Sequence, residues 1–209
     1  MLINTLLTNP LFFLRIIVIV IFSISLHELA HGFAALSQGD DTPKKTGHMT
    51  LNPIVHMGWQ SMIFLCLAGM AWGQMPVNPS RFRHKKLSNI FVSAAGPLLN
   101  LGLGILFLFL LYFHFVFARG KILSFQFLYL ASSVNFRLFF FNLLPIPPLD
   151  GFHIFSDIFP QLKFLENSPF GLLALAIFFF GGFSSILSFL SNAIICQAVP
   201  YLRVCGAFF

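Results

Sequence analysis

The sequence predicts an all-α polytopic membrane protein with four to five transmembrane helices and a short membrane-associated β-hairpin or re-entrant region. Hydrophobic residues make up 57% of the 209-residue chain and charged residues only 9%, whereas a typical soluble domain has about 25% charged residues. The charges stand in short clusters between long apolar runs. In lipid, such runs can satisfy their backbone polar groups only as helices, because their periodicity is not that of a barrel.

The apolar runs in the first half of the chain indicate where it enters the membrane. Residues 11–36 are long enough to cross a bilayer as one helix, and they lack the basic start of a signal peptide. Residues 47–53 are predicted to form a short strand that ends in a turn. Residues 61–71 are apolar but short for a full span, so a re-entrant or interfacial helix is expected there.

Three further apolar runs predict membrane helices in the second half of the chain, at residues 87–117, 122–144 and 170–199. The run Pro145-Ile146-Pro147-Pro148 ends the second of them, and Gly181-Gly182 is expected to kink the third. No internal repeat is apparent. We expect one integral-membrane domain over residues 1–209, with a core at about residues 18–157 and a C-terminal helix at residues 170–199.

The net charge of +6 comes mostly from Lys and Arg residues beside the apolar runs, where they set topology and meet lipid headgroups. Nucleic-acid binding is therefore not expected. If the basic loops at residues 44–45 and 81–86 are cytoplasmic, Arg119 and Lys121 lie in an outer loop. This topology requires that residues 61–71 do not cross the membrane.

The three cysteines, Cys66, Cys196 and Cys205, do not have the spacing of metal ligands. We interpret them as packing residues or free thiols rather than as a disulfide framework or a zinc knuckle.

The pentapeptide His27-Glu28-Leu29-Ala30-His31 is an H-E-x-x-H sequence on a predicted helix. The i, i+4 spacing places the two imidazoles one turn apart on one face, so both can reach a single metal ion. Glu28 projects close enough to take a proton from a water molecule at that ion. The alternative interpretation is two packed histidines and a surface glutamate.

The membrane setting favours the metal site over that alternative. An ionised carboxylate near the middle of a membrane helix costs about 2.5–3.5 kcal/mol, and a bound divalent cation would offset this cost. Ionisable groups inside a membrane also mark functional sites as a rule.

A catalytic zinc usually has three protein ligands and an open position for water, so a third ligand must come from elsewhere in the chain. Asp150 is the candidate, because it follows a proline-broken segment and precedes Gly151, which permits a tight turn. Irregular backbone at membrane depth is tolerated where it lines a polar cavity. The alternative is an interfacial turn in which the Asp150 carboxylate is solvated.

Five motifs occur in order along the chain: residues 27–31, Thr50-Leu51-Asn52-Pro53, Pro76-Val77-Asn78-Pro79, Ala95-Gly96-Pro97-Leu98-Leu99-Asn100 and residues 142–151. Together they resemble the site-2 protease family of intramembrane zinc metalloproteases, peptidase family M50, in its compact form without PDZ or CBS domains. The resemblance covers about residues 18–157. It implies a zinc ion held by His27, His31 and Asp150, with Glu28 as the catalytic base.

The resemblance also implies a core of three transmembrane helices, a site that opens toward the cytoplasm, and a class of substrate. Family members cut transmembrane segments of other membrane proteins, so the expected partners are such proteins and the lipid bilayer. Asn142 matches an asparagine that orients substrate or the oxyanion in the family. The compact form is most similar to bacterial members, which implies a multi-pass protein of the bacterial cell membrane.

Two other functions stay open on the sequence alone. A catalytically silent relative would bind membrane proteins without cutting them, although all four key residues are present here. A metal transporter would use intramembrane histidines and carboxylates, but it would spread them along a path rather than around one site.

Overall fold

The computed structural model describes residues 2–117, 124–166, 170–200 and 205, which form α-helices joined by loops. The helices, in chain order, are α1 (Ile3–Thr8), α2 (Pro10–Ser37), α3 (Thr42–Lys45), α4 (Pro53–Ala68), α5 (Lys85–Phe117), α6 (Phe125–Asn142), α7 (Asp150–Ile158), α8 (Phe170–Phe180) and α9 (Phe183–Ala198). Short 3-10 helices lie at Pro79–Arg81 and Pro160–Leu165. The chain divides into two compact units, Met1–Leu99 and Asn100–Phe209.

Among the described helices, α2 and α5 are long and apolar enough to cross a membrane. They have 28 and 33 residues and extend about 42 and about 50 Å, more than the hydrocarbon core of about 30 Å. Large apolar side chains are exposed on α2, among them Leu14, Val18 and Phe22, as a lipid-facing surface requires. The prediction of an all-α polytopic membrane protein is confirmed.

The strand predicted at residues 47–53 is wrong, because these residues form a loop that leads into α4. The side-chain oxygen of Asn52 accepts a hydrogen bond from the Ile54 amide at 3.0 Å, and Pro53 is the first residue of α4. Asparagine before a helix and proline in its first turn are helix-start signals. The Asn-Pro pair therefore begins a helix rather than ending a strand.

α4 is bent and too short to cross the membrane. Gly58, with a φ of 65°, interrupts the helix, and Gly69, with a φ of 81°, ends it in the left-handed conformation. Residues 59–68 between them extend about 15 Å, which is about half of the thickness of the hydrocarbon core.

After α4 the chain turns back along the same helix. We call residues 70–76 the return segment. The Ser61 hydroxyl bonds both backbone groups of Trp72, at 2.8 Å from its amide and 2.7 Å from its carbonyl. The Gln74 amide donates to the His56 carbonyl at 2.9 Å. The return segment thus leads back toward the start of α4, as a re-entrant element does.

A buried carboxylate joins the end of α2 to the loop before α5. Asp40 is fully buried and accepts hydrogen bonds from the Asn78 amide at 2.6 Å and the Thr42 amide at 3.0 Å. Close by, the Arg83 amide donates to the Gln38 carbonyl at 3.0 Å. These bonds hold the two basic loops of the first unit together.

Within the second unit, α6 packs against α9 through a stripe of polar contacts. The Tyr129 hydroxyl donates to Asn192 at 2.8 Å. One turn further, Ser133 and Ser191 lie 3.3 Å apart. Arg137, whose partner the sequence does not identify, donates to the Ser191 hydroxyl at 3.4 Å. These contacts satisfy polar groups that lipid could not.

The predicted breaks in the second unit are confirmed. α6 ends at Asn142, just before the proline run. The C-terminal apolar run is divided into α8 and α9 at Gly181-Gly182, because Gly182 adopts a φ of 78°. Arg119 and Lys121 lie outside the described residues, and the single domain over residues 1–209 stays a prediction.

The interpretation of all three cysteines as packing residues or free thiols is wrong for two of them. Cys196 and Cys205 form a disulfide, with Cα atoms 5.5 Å apart, whereas Cys66 is free. Their separation of nine residues carries no disulfide signal in itself. Cys205 is bonded to Cys196 in the last turn of α9, which ends at Ala198.

Candidate metal centre

The two histidines of the H-E-x-x-H sequence lie on α2 as predicted. Their Nε2 atoms are 3.0 Å apart, and each side chain is only 7% exposed. Two nitrogens bound to one tetrahedral zinc at about 2.05 Å are about 3.3 Å apart. The pair is therefore spaced to hold one ion between them.

A backbone carbonyl on α5 orients His31. Nδ1 of His31 lies 2.7 Å from the carbonyl oxygen of Val92, which can only accept, so Nδ1 carries the proton. The neutral ring then has its lone pair on Nε2, the atom that faces His27. A carbonyl partner of this kind is the usual second contact of a histidine that binds metal.

Gly96 of α5 leaves room beside the two nitrogens. A Cβ at this position would lie 2.5 Å from Nε2 of His27 and closer still to Nε2 of His31. Any larger residue would therefore fill the space between the ring nitrogens. Because the glycine keeps that space open, the site fits a metal ion rather than a close-packed histidine pair.

Asp150, the predicted third ligand, is the first residue of α7. Its position depends on Gly151, where a Cβ would overlap the carbonyl group of Leu143. This close approach fixes the start of α7 against the end of α6. His27 and His31 belong to the first unit and Asp150 to the second, so its role as the third ligand stays a prediction.

The predicted donor set of His27, His31 and Asp150 fits zinc. Two imidazole nitrogens and one carboxylate oxygen are the ligands of a common type of catalytic zinc site, which keeps its fourth position open. Neutral histidine nitrogens with a carboxylate suit zinc better than calcium or magnesium, which prefer oxygen ligands alone.

Glu28 lies beside the histidines on α2 and is 7% exposed. It packs against the return segment at Gly73, where a Cβ would lie 2.5 Å from Oε1 and 2.7 Å from Cγ of Glu28. Backbone therefore approaches the carboxylate directly. Since Ser61 and His56 fix the return segment on either side of Gly73, they also fix the surface that Glu28 contacts.

An apolar cleft of about 380 Å³ lies on another face of α2. Its lining residues are Leu26, Leu29, Ala30, Phe33, Met49, Thr50, Leu51 and Leu99. The cleft could accept an apolar side chain next to the histidines.

The remaining predicted residue, Asn142, is the last residue of α6, and its side-chain amide donates to the Leu138 carbonyl at 3.0 Å. Its role toward substrate stays a prediction. The sequence does not single out Gly73 or Val92, and it presents Gly96 only as part of the motif at residues 95–100. Only the position of Gly96 beside a proline in that motif could have drawn attention to it.

Comparison with known proteins identifies the family of the chain. The sequence profile of Peptidase family M50 matches residues 116–187. The protein named "Putative zinc metalloprotease YwhC" of Bacillus subtilis (strain 168) is 36% identical over 173 residues, which cover 78% of this chain and 79% of that protein. No solved structure matches the chain. The chain therefore belongs to peptidase family M50, the site-2 protease family, and is a zinc metalloprotease.

Proposed function

We propose that this metalloprotease hydrolyses peptide bonds within or near transmembrane segments of other membrane proteins. The observation that carries the proposal is the position of His27, Glu28 and His31, which are buried on α2, a helix long and apolar enough to span a membrane. A protease for soluble substrates has no need to place its charged groups there, where each is costly.

His27, His31 and Asp150 are the proposed zinc ligands, and Glu28 is the proposed catalytic base. When bound, the zinc ion acts as a Lewis acid that makes water a stronger acid and polarises a carbonyl. Glu28 takes the proton of the attacking water and later gives it to the leaving amine. Val92 supports this role of the histidines by holding His31 in the tautomer that can bind metal.

The return segment is the proposed dock for the substrate backbone. Trp72 and Gln74 turn their amides toward α4. In an extended chain, the backbone groups of Gly73 between them point away from α4, and the face of the segment at Gly73 contacts Glu28. An unwound substrate could pair with this edge by strand addition, and its scissile bond would then lie next to the base.

The orientation of the protein follows from its charges. Basic residues follow α2 at positions 44–45 and precede α5 at positions 81–86, and cytoplasmic loops are enriched in such residues. We therefore place the active site toward the cytoplasmic side of a bacterial cell membrane, in a multi-pass protein. The return of residues 70–76 along α4 supports this topology, since residues 61–71 then dip without crossing.

The proposal is tested by cleavage of tagged single-span membrane proteins in cells that co-express the Glu28→Gln variant. Loss of a general base typically lowers the rate by about 100-fold to 10,000-fold, and we expect loss of this order while the zinc content of the purified protein stays the same. Glu166→Gln is the matched control, because Glu166 is exposed. Unchanged cleavage by Glu28→Gln, or in the presence of a zinc chelator, would overturn the proposal.

The same cells separate the two rival functions. A silent relative would bind the tagged proteins without cutting them, both before and after substitution. A transporter would instead produce zinc flux into sealed vesicles, without cleavage products.

A further inference from the structure

A disulfide bond joins the last turn of α9 to Cys205. Cys196 and Cys205 are bonded and almost fully buried, at 1% and 0% exposed. They belong to one apolar cluster with Leu111, Leu128, Phe136, Ile195 and Val199. The pair is thus part of a packed core rather than an incidental surface contact.

The cluster includes residues near the C-terminal ends of α5 and α9 and near the N-terminal end of α6. Cys196 is in the last turn of α9, Leu111 is in the last third of α5, and Leu128 is in the first turn of α6. The other end of α5 carries Lys85 and Lys86. Along α5, Leu111 is about 39 Å from Lys85 at 1.5 Å per residue, which exceeds the hydrocarbon thickness of about 30 Å.

Two independent rules place these ends on opposite sides of the membrane. Basic loops are retained in the cytoplasm, which assigns the start of α5 to that side. Thiols stay reduced in the cytoplasm, and disulfides persist in oxidising compartments beyond it. The two rules therefore give the same orientation. The basic start of α5 faces the cytoplasm, and the disulfide lies on the extracytoplasmic side.

We propose that Cys196 and Cys205 are oxidised on the extracytoplasmic face of the membrane, where the disulfide ties the chain after α9 to the outer ends of α5 and α6. The two thiols lose two protons and two electrons to an extracytoplasmic disulfide oxidant, which is reduced to its dithiol form. The assignment does not depend on the proteolytic activity, because it rests on the bond and on the charges alone.

The redox state is tested on the unsubstituted chain, with Cys66 as an internal reference thiol. Cells are quenched in acid, and the denatured protein is treated with a maleimide that adds a polyethylene glycol chain to each free thiol. We expect one addition before reduction, at Cys66, and three after it. Three additions before reduction would show that the pair is not oxidised and would overturn the proposal.

The side of the membrane is tested with single cysteines in a chain whose three native cysteines are replaced. Pro200→Cys places an exposed thiol beside the end of α9, and Lys86→Cys places an exposed thiol at the basic end of α5. In intact cells, a membrane-impermeant maleimide should label position 200 at once, and position 86 only after the membrane is permeabilised. The reverse pattern would overturn the proposal, whatever the redox result.

Discussion

Replacing Gly96 by alanine should strongly weaken zinc binding with little effect on the helix that carries it. The added Cβ would lie 2.5 Å or less from the Nε2 atoms of both His27 and His31. Ordinary van der Waals contact begins at 3.4 Å, so each ring must move by about 0.9 Å or more. Metal–ligand distances tolerate changes of only about 0.2 Å.

The size of the effect follows from this displacement. Loss of an outer hydrogen-bond partner of a ligand typically weakens metal affinity by about 10-fold to 100-fold. Displacing two ligands from the ion is at least as severe, so we expect Gly96→Ala to weaken zinc binding by about 100-fold or more. α5 itself should not suffer, because alanine favours a helix over glycine by about 1 kcal/mol.

The assay is zinc content per chain by elemental mass spectrometry, after purification in detergent with buffered zinc. Gly102→Ala is the matched control, because it lies on the same helix and its Cβ would meet nothing within 4 Å. Both variants should be equally helical by circular dichroism. If Gly96→Ala binds zinc as tightly as the control, the space between the two histidines is not the metal position.

Three other substitutions test the surroundings of the site. Gly73→Ala should push the Glu28 carboxylate aside and lower the cleavage rate at least about 10-fold, with zinc content unchanged. Ser61→Ala removes both hydrogen bonds to Trp72, so we expect a loss of about 1–3 kcal/mol in stability, measured by thermal unfolding, and slower cleavage. Lys45→Ala should raise the pKa of Asp41, which the hydrogen bond from Lys45 holds below its ordinary value; an NMR titration of the labelled carboxyl that shows no change would refute this. Because the Lys45–Asp41 pair is exposed, its small stabilisation is present at neutral pH and lost as the pH falls through the lowered pKa.

Most of the helical architecture could be predicted because lipid leaves apolar runs few alternatives. The breaks at the proline run and at Gly181-Gly182 follow from backbone chemistry that a single residue determines. The helix start at Asn52-Pro53 was not predictable in this way, because this pair is compatible with a turn and with a helix start. The choice depends on a capping bond that only the folded chain reveals.

The residues of the candidate site could likewise be predicted only in part from the sequence. His27, Glu28 and His31 could be found because their i, i+4 spacing is a property of one helix. Gly73, Gly96 and Val92 could not, because each acts through a contact between elements that are distant in sequence. The disulfide was missed for a similar reason, since it depends on where Cys205 lies relative to the last turn of α9.

The arrangement of residues around α2 indicates how a substrate would lie. At about 100° per residue, His27 and His31 share one face of the helix, and Glu28 lies about 60–100° to one side of them. The apolar cleft, lined by Leu26, Ala30 and Phe33, lies on the other side. A substrate paired with the return segment near Glu28 could therefore cross the histidines and place an apolar side chain in the cleft. An intact helix hides its carbonyls in its own hydrogen bonds, so only a locally unwound segment can follow this path, and the need for unwinding would itself select among transmembrane substrates.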